Sequence, residues 1–262
     1  MKYVVSERAL ETIERECRRS PDTETGGILV GFKDKRRVTV THATGPGPVS
    51  DLSVSRFIKD TPYLQSVLNL LFQYFQVNYL GVWHKHPGAM PFPSSGDVAS
   101  AMDEVSDVNM GLDELLTPIG VMTSGRVEVH PYAIKDNGYR KIEWEARAHD
   151  KLPSSRPLAT QWYATTQGQR RLTWEMERFE EAGVEAEVRK GDDGTYRFHA
   201  PLVPGSPRRL VMLCYNDYPV SPPEVVLYDE RTEGYEPVAS RVVDSWHLDR
   251  YLYDIFEEWR GG

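Results

Sequence analysis

A polar, proline-containing stretch divides this sequence into two parts. Residues 148–157, Ala-His-Asp-Lys-Leu-Pro-Ser-Ser-Arg-Pro, have no hydrophobic periodicity, which is typical of a linker. At 262 residues the chain is long for one compact domain and sufficient for two. We therefore predict a first domain over residues 1–147, a linker over 148–167 and a second domain over 168–262.

The first part mixes helical and strand patterns. Apolar residues recur at helical spacing after Ser6, a predicted N-cap, and after Thr61, a second predicted N-cap that is followed by Pro62. A loop is expected between 45 and about 60, and a third helix from about 97 to 105. Strands are predicted at residues 26–32, 37–44, 79–86, 117–123 and 127–134. This order indicates an α/β domain, a sheet flanked by helices.

Composition excludes several classes of protein. A formal charge of -8 and a pI near 5.5 disfavour nucleic acid as a partner, since nucleic-acid binders usually carry a basic face. We see no export signal and no run of about 18 apolar residues, so no membrane partner is expected. With only Cys17 and Cys214, neither a disulfide framework nor a cysteine-based zinc site is available. A reducing, cytoplasmic location is the expectation.

Two histidines one residue apart end an apolar strand pattern. Because side chains alternate on a strand, His84 and His86 project from the same face and Lys85 points away. Asp97 is able to supply a third, oxygen ligand, and three protein ligands leave one tetrahedral position open, which is typical of catalytic zinc. A nearby carboxylate can take a proton from the attacking water, and Glu24 is the candidate base. The pattern predicts a hydrolytic zinc site.

The spacing of these residues resembles the signature of the JAB/MPN (JAMM) zinc metallopeptidases. The pattern is His-x-His, seven residues, Ser, two residues and Asp, preceded by Glu-Thr-Gly-Gly-Ile-Leu-Val-Gly at 24–31. The Gly-Pro-Gly-Pro loop at 45–48, followed by Phe57 and Asp60, is similar to the bacterial branch. The resemblance covers about residues 1–140 and implies a JAB/MPN fold with a mixed sheet.

The same resemblance implies a role for each site residue. His84, His86 and Asp97 would bind Zn²⁺, Glu24 would be the general acid/base, and Ser94 would hydrogen-bond the tetrahedral oxyanion. Alternatives remain open for two of these roles from the residues alone. Asp22 stands two positions from Glu24, and Ser95 is a rival to Ser94; either serine could instead cap the helix that begins near residue 97.

A proline-rich loop joins the histidines to the serines. Met90 and Phe92 at its tip have no obvious core to join, so we expect them to line a groove for an extended substrate tail. The alternative is a rigid surface turn, since Pro87, Pro91 and Pro93 stiffen this segment.

The second part has a helix followed by antiparallel strand patterns, an α+β arrangement. This order, with the run Tyr-Pro-x-x-Pro-Pro-x-Val at 218–225, resembles the ubiquitin-conjugating-enzyme (UBC-like, RWD-related) fold over about residues 168–260. The family's catalytic cysteine lies eight residues before a tryptophan; counting back from Trp246 reaches Val238, and no cysteine follows Cys214. The resemblance therefore implies an inactive UBC-like domain kept for binding. A purely structural role is the alternative.

Together these features predict a zinc-dependent isopeptidase or peptidase that cleaves after the C-terminal glycine of a ubiquitin-like protein in a bacterial conjugation pathway. The expected partners are ubiquitin-like proteins or their conjugates, with ubiquitin-activating or ubiquitin-conjugating-like enzymes as further partners. Processing of a sulfur-carrier protein and a non-catalytic scaffold are the alternatives. The terminal Gly261-Gly262 is similar to the tail of a modifier, but a frayed terminus is the favoured interpretation.

Overall fold

Strands from the first part of the chain form a mixed sheet with helices on both faces. The computed structural model describes residues 1–54, 57–88, 90–136, 138–152 and 161–260. The chain divides into two units, the first made of Met1–Phe72 and Gln76–Leu158 and the second of Gln73–Phe75 and Ala159–Gly262. Each unit is described by itself below.

The described residues of the first part of the chain form three helices and twelve strands. In chain order they are β1 (Lys2–Ser6), α1 (Glu7–Arg19), β2 (Thr25–Lys33), β3 (Arg37–Ala43), β4 (Asp51–Leu52), β5 (Phe57–Ile58), α2 (Thr61–Phe75), β6 (Asn78–Lys85), α3 (Ser95–Ser106), β7 (Leu115–Leu116), β8 (Ile119–Thr123), β9 (Arg126–His130), β10 (Tyr132–Lys135), β11 (Gly138–Lys141) and β12 (Trp144–Arg147).

Ten of these strands form one sheet. Its order is β11-β10-β7-β6-β2-β3-β1-β12, and β8 pairs with β6 and β9. β1 runs parallel to β3 and β12, and β6 runs parallel to β7 and β8, whereas the remaining pairs are antiparallel. The predicted α/β class with a mixed sheet is confirmed for this unit.

The helices cover opposite faces of the sheet. Buried residues of α1 (Ala9, Ile13 and Cys17) belong to one hydrophobic cluster with Leu116 of β7. Ala101 of α3 belongs to another cluster with Leu115, the residue before it on the same strand. Because neighbouring strand residues point to opposite faces, α1 and α3 lie on either side of the sheet.

The N-terminal caps of two helices differ from the sequence prediction. Ser6 is the N-cap of α1, but its side chain makes no capping bond, and its Oγ lies 3.0 Å from Nδ1 of the buried His149 instead. The prediction of Thr61 as the N-cap of α2 was wrong. The N-cap is Asp60, whose carboxylate accepts from the backbone N of Tyr63, because a carboxylate at this position satisfies an unpaired N–H of the first turn.

Two strand predictions also required correction. The segment predicted as an unbroken loop up to about residue 60 contains a small antiparallel hairpin, β4 with β5. The single strand predicted over 127–134 is two strands, β9 and β10, which separate at Pro131. Proline has no N–H to donate to a ladder, so a break at that residue is expected.

The second unit contains an antiparallel meander preceded and followed by helices. Its elements are α4 (Thr166–Glu181), β13 (Glu187–Lys190), β14 (Tyr196–Pro201), β15 (Arg208–Cys214), β16 (Glu224–Asp229), β17 (Gly234–Pro237), α5 (Arg241–Asp244) and α6 (Leu252–Arg260). The five strands are hydrogen-bonded in sequence order. The predicted α+β order is confirmed, and the UBC-like assignment stays a prediction.

The ends of the predicted linker are structured. His149–Lys151 and Trp162–Ala164 form short 3-10 turns, and Trp162 is fully buried. The centre of that linker, residues 153–160, and the terminal Gly261-Gly262 lie outside the described residues. The predicted domain boundaries therefore stay a prediction. No helix in the described part of the chain combines the length and the apolarity needed to cross a bilayer.

Candidate functional site

His84 lies near the end of the central strand β6, His86 follows its last residue, and both point to one face of the sheet. Both side chains are buried, and β6 is held between β2 and β8, where His84 pairs with Gly26 and Ile119. Burial on a central strand gives both imidazoles a fixed direction. The alternation predicted from the sequence, with Lys85 on the opposite face, agrees with this arrangement.

Gly26 allows β2 to approach the histidine strand closely. A Cβ at this position would lie 2.4 Å from the carbonyl oxygen of Trp83 and 2.9 Å from Cβ of His84. Such distances are sterically forbidden, so the glycine that follows Glu24-Thr25 is a requirement of the site's packing.

Asp97 is the third residue of α3 and takes part in a reciprocal helix cap. The backbone N of Ser94 donates to Oδ2 of Asp97 at 2.6 Å, and the backbone N of Asp97 donates to Oγ of Ser94 at 3.2 Å. Burial opposes ionisation of Asp97, but hydrogen bonds from His84 and His86 outweigh it and hold its pKa well below the usual range. Asp97 is therefore an ionised carboxylate facing two imidazoles.

The three side chains converge at one point. His84 Nε2 lies 2.9 Å from His86 Nε2 and 3.2 Å from Asp97 Oδ1, and His86 Nε2 lies 3.4 Å from Asp97 Oδ2. Among the described residues these three form the group of side chains able to hold a metal ion. Donor atoms around a tetrahedral zinc at ordinary bond lengths are about 3.3–3.5 Å apart, so the group fits this metal.

A backbone carbonyl orients one of the imidazoles. Nδ1 of His86 lies 2.9 Å from the carbonyl oxygen of Met90, so this nitrogen carries the proton when the imidazole is neutral. Nε2 then presents its lone pair to the converging point, as a ligand must. Burial lowers the pKa of His86, but the hydrogen bonds with Asp97 and the Met90 carbonyl and the negative charges of Asp97 and Glu24 together outweigh burial, and the net pKa is raised.

Glu24 precedes β2 and lines the same cavity as His84 and Asp97. The cavity has a volume of about 260 Å³, and its lining is Glu24, Phe57, Lys59, Val82, His84, Asp97, Ser100, Ala101, Glu104, Leu115 and Thr117. Burial raises the pKa of Glu24 above its ordinary value, with the nearby imidazoles opposing this shift. A half-buried carboxylate with a raised pKa beside a metal-binding group is suited to accept and return a proton.

The structure separates the rival residues from the predicted ones. Asp22 is exposed and is not part of the cavity lining, whereas Glu24 is half-buried and is part of it. Ser95 is exposed as the first residue of α3, and Ser94 is the capping residue that contacts Asp97. In the cap the hydroxyl oxygen of Ser94 accepts from the backbone N of Asp97, and a hydrogen bond from the same hydroxyl contributes to the low pKa of the Asp97 carboxylate.

Met90 and Phe92 lie on the loop between β6 and α3, outside the described lining of the cavity. Met90 is half-buried and Phe92 is 44% exposed. The loop is anchored by the hydroxyl of Tyr132, which donates to the carbonyl oxygen of Pro91 at 2.8 Å. A role for the two apolar side chains in substrate binding stays a prediction.

Sequence reasoning missed the parts of the site that act through the backbone or through distant contacts. The Met90 carbonyl has no side-chain signature that a pattern search could detect. Lys59 and Glu104 form an ion pair, 3.2 Å between Nζ and Oε1, at the wall of the cavity, and they are 45 residues apart in the chain. Helical spacing places Glu104 on α3 but not beside Lys59.

Comparison with known proteins identifies relatives of the first part of the chain. Residues 6–135 match the family model described as prokaryotic homologs of the JAB domain. A protein of Escherichia coli (strain TW11681) named CD-NTase/cGAS isopeptidase is 34% identical over 80 residues, 30% of this chain and 51% of that protein. A protein of the same name from Enterobacter hormaechei is 27% identical over 124 residues, 47% of this chain and 67% of that protein. The matched region thus spans about half to two thirds of these relatives.

Solved structures are also similar, and one of them serves as an example. The solution structure of a protein from Desulfitobacterium hafniense aligns with a TM-score of 0.44 at 19% identity, over 56% of this chain and 93% of that chain. A likeness of this degree does not decide the fold. The family match and the named relatives support the JAB family for the first half of the chain.

Proposed function

Because residues 6–135 match the JAB family model, we propose that the protein is a zinc-dependent isopeptidase that cleaves after the C-terminal glycine of a ubiquitin-like protein. The observation that carries the proposal is the convergence of His84, His86 and Asp97 at a cavity that is lined by two of them, His84 and Asp97, and by Glu24. Two imidazoles and one carboxylate leave a coordination position for a reacting group, as hydrolytic zinc sites do.

In this proposal each site residue has a separate role in hydrolysis. When bound to the three ligands, zinc supplies Lewis acidity toward a water and a carbonyl oxygen. Glu24 takes a proton from the attacking water on a carboxylate oxygen and returns it to the departing amine, which is favoured by its raised pKa. Ser94 turns its O–H to the developing oxyanion of the scissile carbonyl.

The substrate class rests on the relatives. Two of them are named CD-NTase/cGAS isopeptidase, which supports an isopeptide bond at the end of a ubiquitin-like tail as the target. We assign deconjugation or precursor processing to this chain on that basis. A diglycine tail is narrow enough for a cavity of about 260 Å³, and Met90 and Phe92 beside the ligand loop are proposed to contact the residues before it.

The second unit is proposed to be a binding module. Cys214 is fully buried on β15, and burial raises the pKa of its thiol well above the ordinary value, so it is unsuited to thioester chemistry. A meander of this kind, with a UBC-like motif at 218–225, would bring a ubiquitin-like protein or a conjugation enzyme to the isopeptidase.

The purified protein provides the test. Its zinc content is measured, and it is offered a ubiquitin-like protein joined through its C-terminal glycine to a lysine side chain or, in parallel, to a linear peptide. We expect one zinc ion per chain and cleavage after the glycine, which a chelator abolishes and added Zn²⁺ restores. A protein that neither binds zinc nor cleaves either fusion would contradict the proposal and would favour the scaffold.

A further inference from the structure

Lys85 lies between the two ligand histidines but points to the other face of the sheet. Its side chain is fully buried, although a lysine carries a charge that burial disfavours. The ammonium group donates to the carbonyl oxygen of Pro21 at 3.0 Å and to that of Thr23 at 2.8 Å. The buried charge is thus compensated by two backbone oxygens of a single turn.

That turn leads directly into Glu24. Thr23 is the residue before it, and the residue after it, Thr25, is the β-ladder partner of Lys85 itself. On the other side, the backbone N of Glu24 donates to the carbonyl oxygen of Ser53 at 2.7 Å. The backbone of Glu24 is therefore held from three directions, two of which involve Lys85.

We propose that Lys85 is a positioning residue that holds the Glu24 backbone, and hence its carboxylate, at the metal-binding group. The inference rests on the proposed function, in which Glu24 is the proton carrier. Hydrogen bonds from an ammonium to carbonyl oxygens are roughly twice as strong as neutral ones, and replacing Lys85 removes this donor from both carbonyl oxygens of the turn. The turn then relaxes, and Glu24 moves with it.

A structural role alone would have a different signature. If Lys85 served only to stabilise the fold, replacing it would lower the zinc content and the apparent kcat in proportion to the amount of folded protein, and would leave KM and the turnover of each folded molecule unchanged. A residue that places the base changes the rate of the chemical step in the folded protein. A displacement of about 1 Å in a catalytic group can lower turnover by roughly 10²-fold.

Trp83 offers a matched control on the same strand and the same face. It is also fully buried, and its Nε1 donates to the carbonyl oxygen of Thr44 at 2.9 Å, in a loop that does not lead to Glu24. Trp83→Phe therefore removes one hydrogen bond from strand to loop and some buried volume, and leaves the Glu24 turn in place.

The experiment compares Lys85→Met, Lys85→Gln, Trp83→Phe and Glu24→Gln in the full chain, measuring zinc content, thermal unfolding, kcat and KM on the glycine-linked fusion. We expect Lys85→Met to keep its zinc and its KM and to lose roughly 10²-fold in kcat. Lys85→Gln, which can donate to one carbonyl, should be intermediate, and Trp83→Phe should lose stability with its kcat retained.

Several results would overturn this inference. They are an unchanged kcat in folded Lys85→Met, an equal loss of kcat in Trp83→Phe, loss of zinc from Lys85→Met, or failure of both Lys85 variants to fold. A wild-type protein that binds no zinc and cleaves neither fusion would instead overturn the proposed function, and an active Glu24→Gln protein would overturn the role of Glu24 as the proton carrier. The two failures are thereby distinguished.

Discussion

Ser94 and Asp97 cap each other at the first turn of α3, and the other carboxylate oxygen of Asp97, Oδ1, lies 3.2 Å from His84. The side chain of Asp97 therefore caps the start of the helix and also completes the metal-binding group. Because the capping box determines where the helix starts, the cap also determines where the third ligand stands. The N-terminal cap of α3 and the candidate metal centre thus share the same carboxylate.

The first prediction concerns the ligands. His86→Ala and Asp97→Asn each remove one donor from the group, so we expect bound zinc and hydrolysis to fall together. Zinc content per chain and the initial rate on the glycine-linked fusion are the measurements. His247→Ala, in the second unit, is the control and should keep both. Full activity in a zinc-free His86→Ala protein would contradict the metal's role.

The second prediction separates Glu24 from Asp22. Glu24→Gln keeps the size of the side chain and removes its ability to take a proton, so we expect zinc to remain and kcat to fall by roughly 10²–10⁴-fold. Asp22→Asn changes an exposed carboxylate outside the cavity lining and should be fully active. If Glu24→Gln loses its zinc, the residue is a ligand and not the base.

The third prediction separates Ser94 from Ser95. Ser94→Ala removes the acceptor that caps α3, which should lower the free energy of unfolding by about 1 kcal/mol. It also removes the proposed oxyanion donor, which should lower kcat by roughly 10²–10³-fold. Ser95→Ala, at an exposed first helical position, should change neither quantity in chemical unfolding and steady-state assays. The reverse result would reassign the oxyanion role.

The fourth prediction concerns the pH dependence of stability. His199 on β14 is 3% exposed, and burial, with Arg189 as a secondary cause, lowers its pKa to about 4. In the unfolded chain the pKa of a histidine is about 6.5, so below that pH the unfolded state binds a proton that the folded state does not. The stabilisation from neutral His199 is complete above pH ~6.5 and declines as the pH falls toward 4, by at most about 3 kcal/mol.

Urea midpoints at pH 7.5 and pH 5 provide the measurement. The wild-type midpoint should fall more between these pH values than that of His199→Phe, which keeps an apolar ring beside Tyr228 and has no titratable group. Equal declines in the two proteins would show that His199 does not contribute to acid sensitivity.

The relative positions of residues that lie close together in the chain were predictable from the sequence. Strand alternation places His84 and His86 on one face, and the spacing to Asp97 agrees with a loop and one turn of helix, because both patterns are set by local backbone geometry. The α/β order of the first part was predictable for the same reason. Short elements were not: β4, β5 and the strand break at Pro131 carry too few residues for a periodic signal.

Contacts between distant residues required the tertiary structure. The sequence does not distinguish Asp22 from Glu24, since both are acidic residues before a strand. The pairing of β2 with β6 brings Glu24 into the cavity of His84. Sequence likewise placed Lys85 away from the histidines, but its contact with the turn before Glu24 joins residues more than 60 positions apart. Such contacts depend on the order of strands in the sheet and on the need of a buried charge for a partner. Both are determined by long-range packing, and local propensity does not encode them.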